Sequence, residues 1–116
     1  MKKTLLFLLL PLLSNAQIFQ SGFESVNGPI TQWTLYNQDN LVPNTNVNYV
    51  DAAWVAELSE FDNNIAMSTS WYTPAGTSND WMVSPAITLP SGTSTLYWQA
   101  RAFDGTYPDS YRVYVS

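Results

Sequence analysis

The chain contains neither cysteine nor histidine among its 116 residues. Their absence excludes Ser–His and Cys–His nucleophiles and histidine-ligated zinc, which removes the commonest hydrolytic constellations. It also means that an exported domain of this size has no disulfides to supplement a limited core. Positive charge is scarce, with four Lys and Arg against nine Asp and Glu and a formal net charge of −5. So few cations cannot neutralise a run of phosphates, which argues against nucleic acid as a partner, and they give no attraction to anionic lipid. A sustained 3.6-residue apolar period is missing as well, and neither an internal repeat nor a low-complexity linker occurs.

What is present begins with an export signal. Lys2 and Lys3 precede an apolar run from Leu5 to Leu13, interrupted only by Pro11, and Ser14-Asn15-Ala16 then puts small residues where a signal peptidase reads. The run is too short for a transmembrane helix, which takes about 20 apolar residues. Residues 1–16 are therefore read as a secretory signal peptide cleaved after Ala16, and the protein is expected to be secreted or at the cell surface, without membrane insertion once the signal is gone. Cleavage removes both lysines and leaves Arg101 and Arg112 against nine carboxylates, a net charge of −7. That acidity suits an extracellular protein able to hold hard divalent cations, although a solvated acidic surface needs no ligand.

Period-2 alternation recurs from Gln17 onward, so the mature chain is predicted to be all-β and antiparallel. In Thr95 to Asp104, Leu96, Trp98, Ala100 and Ala102 point one way while Tyr97, Gln99, Arg101 and Phe103 point the other. Tyr111, Val113 and Val115 repeat the pattern after a Gly- and Pro-containing turn at 104–109, which predicts a hairpin. Ile65 to Tyr72 alternates too, following an Asp62-Asn63-Asn64 turn, and Trp54 to Leu58 is a short strand or one helical turn. The Asn-, Asp- and Pro-rich stretch from Asn37 to Asn48 favours loop. Trp33, Trp54, Trp81 and Trp98 are core candidates. The alternating run reaches Ser116 without turn residues or a polar cap, and the sheet is expected to be truncated there, leaving apolar surface uncovered and the chain prone to association.

Asp80 stands out within Ser78-Asn79-Asp80-Trp81-Met82-Val83-Ser84-Pro85, because turn formers precede it and a bulky strand ending in proline follows it. A carboxylate at such a loop-to-strand junction is free to cap backbone or to bind a cation. An Asx turn starting the Trp81 strand accounts for Asn79 and Asp80 without metal.

The chain also carries FES at Phe23 to Ser25, PITQW at Pro29 to Trp33 with Asp39 soon after, AW at Ala53 to Trp54, NIAMSTSWY at Asn64 to Tyr72, NDWMVSPAITL at Asn79 to Leu89, LYWQARAFD at Leu96 to Asp104 and YPDSYRVYVS at Tyr107 to Ser116. In this order and spacing the pieces resemble the cleaved-adhesin family, also called choice-of-anchor J, across nearly all of the mature chain. The resemblance implies a jelly-roll β-sandwich over residues 17–116, akin to gingipain haemagglutinin/adhesin and MAM-like domains, that binds calcium structurally and is not an enzyme. It also implies fusion to further domains in the full-length protein and an extracellular protein or glycan ligand. Matched position by position, it assigns calcium ligands to Glu24, Asp39, Asp104 and Asp109. Asn40 follows Asp39 where family members often have a second Asp, and its carbonyl offers calcium less charge.

Each of these acids, taken singly, reads equally well as a solvated turn residue capping its own backbone. Trp71 and Tyr72, before a Thr-Pro-Ala-Gly-Thr-Ser loop, either pack into the core or offer a ring as a platform for sugar or peptide. The reading that results is a non-catalytic, calcium-stabilised adhesin or accessory binding module. The alternatives are a carbohydrate-binding module, marked by a row of exposed rings, and a glycosidase fragment, marked by two carboxylates about 5–10 Å apart in a cleft.

Overall fold

A computed structural model describes residues 17–24, 28–58 and 63–116. The proposed signal peptide, Ser25 and Asp62 lie outside those residues. Among the described residues, four short strands form two antiparallel ribbons, and helix is confined to two single 3-10 turns, Ile30–Gln32 and Thr45–Val47. The chain is all-β. Strand β1 (Thr34–Asn37) pairs with β4 (Asp80–Val83), and β2 (Val55–Leu58) pairs with β3 (Asn64–Met67).

The β1–β4 register is Thr34 to Val83, Leu35 to Met82, Tyr36 to Trp81 and Asn37 to Asp80. Because side chains alternate across a strand, Leu35, Asn37, Asp80 and Met82 share one face while Thr34, Tyr36, Trp81 and Val83 share the other. Leu35 and Met82 are half-buried and Tyr36, Trp81 and Val83 are exposed, which makes the first face the inner one.

The buried core among the described residues is small, comprising Val50, Ala53 and Tyr72. Tyr72 is held from behind by a bridge between Pro43 and Tyr72, flanked by bonds from Asn44 N to the Trp71 carbonyl (2.8 Å) and from Thr73 N to the Val42 carbonyl (3.1 Å). The Asn44 side chain closes the clasp, accepting from Asn46 N at 2.9 Å as the cap of the second 3-10 turn and donating to Thr73 Oγ1 at 2.6 Å. A separate aromatic group gathers near the N-terminus, with the Trp33 ring 5.8 Å from both Phe19 and Phe23. Ser21 links it, accepting from Trp33 Nε1 at 3.0 Å and donating to the Gly28 carbonyl.

Three expectations require correction. The strand beginning near Ile65 ends at Met67 instead of running on to Tyr72, because its pairing with β2 stops at Val55, Trp71 N bonds to Thr69 Oγ1, and Tyr72 bridges to Pro43. The hairpin of 95–104 with 111–115 has its turn but no ladder: Tyr107 N donates to the Asp104 carbonyl (3.3 Å), while the segments on either side form no strand and every residue from 85 to 116 is exposed. Alternation decides which way a side chain points, whereas a strand exists only where its N–H and C=O groups meet a neighbour, and two strands alone are marginal. The pattern persists as a difference in exposure, 51% at Trp98 against 81% at Tyr97. Trp81 and Trp98, read as core, are exposed: Trp98 lies in a segment without a ladder, and Trp81 lies on the outer face of the β1–β4 ribbon.

Candidate functional site

Asp80 opens β4 on the inner face, at the end of the ribbon where the loops begin. Its Oδ2 is 2.8 Å from the Tyr72 hydroxyl and 3.4 Å from Ser78 Oγ. The single phenolic hydrogen is shared between that carboxylate and the Thr69 carbonyl at 2.7 Å, and Ser78 Oγ lies 3.0 Å from the phenol oxygen. The other carboxylate oxygen, Oδ1, is buried and has no hydrogen-bond partner; Trp54 Nε1 is in the same condition elsewhere. Leaving a buried acceptor unpaired is costly, so such an atom calls for an explanation.

Burial is the main cause that raises the Asp80 pKa, and the nearby Asp39 charge adds to it against the opposing bonds from Tyr72 and Ser78. Burial likewise raises Tyr72 to about 12, helped by the Asp80 bond and charge. Tyr72 is therefore a neutral donor at physiological pH.

Asp80 and Tyr72 line a pocket of about 290 Å³ together with Asn37, Asn40, Asp51 and Thr69. Each of these residues carries a side-chain oxygen, and they come from four separate stretches of chain; Leu41, Val42, Pro43 and Ala52 complete the lining. Asn37 Oδ1 accepts from Asn40 N at 2.6 Å, which shapes the rim, and Asn40 sits at φ 55, a conformation asparagine tolerates.

Although its charge reaches Asp80, Asp39 does not line this pocket. Its Oδ1 accepts from Leu41 N at 2.7 Å and its Oδ2 from Asn79 N, so it ties the loop after β1 to the entry of β4. Glu24 follows Phe23, whose carbonyl accepts from Asn64 Nδ2 at 3.1 Å. Asp104 caps Thr106 N at 2.8 Å, and Asp109 accepts from Ser70 Oγ. Among the described residues no group of three or more acidic side chains gathers as a metal site, and Glu24, Asp104 and Asp109 do not line the Asp80 pocket.

The two aromatic candidates separate. Trp71 is 53% exposed, whereas Tyr72 is 5% exposed and turns its hydroxyl inward to Asp80, so its ring is not a surface platform. Nor do Asn79 and Asp80 form the expected Asx turn. Asn79 Oδ1 instead accepts from Trp81 Nε1 at 2.8 Å, and Asp39 supplies the cap to Asn79 N. The sequence singled out Asp80, but not its neighbours Asn37, Asp51 and Thr69, because no spacing within one segment brings them together.

No protein-family model, curated protein or solved structure matches the chain.

Proposed function

We propose that the chain is a calcium-stabilised, non-catalytic binding module of a secreted or cell-surface protein, built as a jelly-roll β-sandwich of the cleaved-adhesin type. The observation that carries the calcium part is the buried, unpartnered Asp80 Oδ1 at the wall of an oxygen-lined pocket. Calcium takes six to eight hard oxygen ligands, and the donors here fit that chemistry: the carboxylates of Asp80 and Asp51, the amide oxygens of Asn37 and Asn40, and the Thr69 hydroxyl, with water completing the shell. Bound calcium would supply the positive charge that Asp80 lacks.

Asp39 enters the proposal through its charge on Asp80 and its clamp on Asn79. Glu24, Asp104 and Asp109 rest on the resemblance alone. Two carboxylates make a weakly charged site, which suits the roughly 10⁻⁴–10⁻³ M affinities of extracellular calcium modules, where the ion is abundant.

At 10 mM calcium an affinity in that range stabilises the folded state by about 1.4–2.7 kcal/mol. Calorimetry with calcium and with chelator should show the corresponding rise in melting temperature, and Asp80→Asn should abolish it. A wild-type protein that melts identically in both conditions would rule out the calcium site.

A further inference from the structure

The outer face of the β1–β4 ribbon has no part in the Asp80 pocket. Tyr36 and Trp81 are direct partners across the two strands, and they are 44% and 41% exposed. Beyond them on the same face, where Gln38 N donates to the Asn79 carbonyl at 3.1 Å, the amide side chains of Gln38 and Asn79 extend the surface. Val83 borders the other end, and the five residues line a groove of about 370 Å³.

Two features make this groove more than an exposed apolar patch. The indole is fixed in place: Trp81 Nε1 donates to Asn79 Oδ1 at 2.8 Å, and Tyr114 stacks on the ring at 5.5 Å and 27°. A ring already held loses little entropy when a ligand packs on it. The polar groups, by contrast, remain available. The Gln38 amide and the Tyr36 hydroxyl form no hydrogen bond among the described residues, and the indole engages only the oxygen of the Asn79 amide.

We infer that this groove binds a neutral glycan, with a sugar ring packed against Tyr36 and Trp81 and its hydroxyls paired with the amides of Gln38 and Asn79. A sugar presents a C–H face to an aromatic ring and, at its edge, hydroxyls that both donate and accept, which matches amide groups that do the same. The volume lies near the lower end of the range of about 300–1,000 Å³ for small-molecule sites, room for one or two sugar units. Charge narrows the class: no charged side chain lines the groove, and a chain of net charge −5 repels sulfated or uronic-acid sugars. The inference rests on reading the chain as a binding module and supplies its ligand.

The test titrates the mature chain with cellohexaose, xylohexaose and mannohexaose, following tryptophan fluorescence and calorimetry. Heparin hexasaccharide and a proline-rich decapeptide serve as counter-probes, and each titration is run with calcium and with chelator. At least one neutral hexasaccharide is expected to bind, with Tyr36→Ala and Gln38→Ala each weakening it about fivefold to tenfold. Gln38→Ala removes an exposed amide without an internal partner, so its effect cannot be attributed to unfolding. The inference is overturned if no neutral hexasaccharide binds, if Gln38→Ala binds as tightly as wild type, or if heparin or the peptide binds in preference. Failure here with the calcium-dependent melting shift retained rejects the groove alone. Glycan binding without any calcium shift rejects the metal alone.

Discussion

At the scale of single residues, Asp80 carries the sharpest consequence. Its pKa is raised in the folded state, chiefly by burial, so between about 3.9, the ordinary aspartate value, and that raised value the folded protein binds more protons than the unfolded one. Stability from this group is therefore present at low pH and lost as pH rises through the folded pKa. In calcium-free buffer, the difference in unfolding free energy between wild type and Asp80→Asn should move against the wild type as pH is raised through this window. Denaturant melts from pH 4 to 7 measure it, and a difference that stays constant would mean that Asp80 is not buried in solution. Calcium should reverse the slope, because the metal binds the ionised carboxylate. Asp80 was legible in the sequence as a carboxylate at a turn-to-strand junction. That its partner is Tyr72, eight residues upstream, was not legible, since alternation over Ile65 to Tyr72 suggested a continuous strand.

At the scale of elements, the turn into the first aromatic group depends on one glycine. Gly28 adopts φ +69, and a Cβ there would lie 2.5 Å from the Gln20 carbonyl oxygen and 2.6 Å from Ser21 Cα. Both are backbone atoms with no freedom to swing aside. Gly28→Ala thus combines the left-handed penalty of about 1–2 kcal/mol with a main-chain clash, and it should displace Ser21 from Trp33 and the Gly28 carbonyl. A loss of at least 1 kcal/mol in chemical denaturation, with altered Trp33 indole chemical shifts, is the expected result. The strands themselves were unevenly legible. Val55–Leu58 and Asp80–Val83 match their expected positions, because short apolar runs bounded by turn formers state both their faces and their ends. Thr34–Asn37 was missed, since Asn37 and the asparagines beyond it spoke for loop and only its partner β4 makes it a strand.

At the scale of the whole molecule, apolar side chains are distributed unequally. Among the described residues three form the buried core, while Leu96, Tyr97, Trp98, Phe103, Tyr111, Val113, Tyr114 and Val115 are exposed along one stretch. So many exposed apolar side chains favour association. Sedimentation velocity on residues 17–116 should therefore show concentration-dependent association in the micromolar range, and Tyr97→Lys with Phe103→Lys should reduce it. A species that stays monomeric at every concentration would count against this. Four of the contacts around the β1–β4 ribbon and its loops come from tertiary pairing: Asp39 with Asn79, Asn44 with Thr73, Tyr72 with Asp80 and Tyr36 with Trp81.

The sequence by itself determined the all-β class, the absence of histidine- and cysteine-based chemistry, the acidic charge and the place of Asp80 at a turn-to-strand junction. These follow from composition and from local alternation, which act on each residue through its immediate neighbours. Only the tertiary structure decided which alternating segments become strands, that Tyr72 is a buried donor, and that the two faces of one ribbon divide into an oxygen-lined pocket and an aromatic groove. The physical reason is that ladders, pockets and shared protons are made between residues far apart in the chain. Their existence depends on which backbone groups find partners, and no local pattern records that.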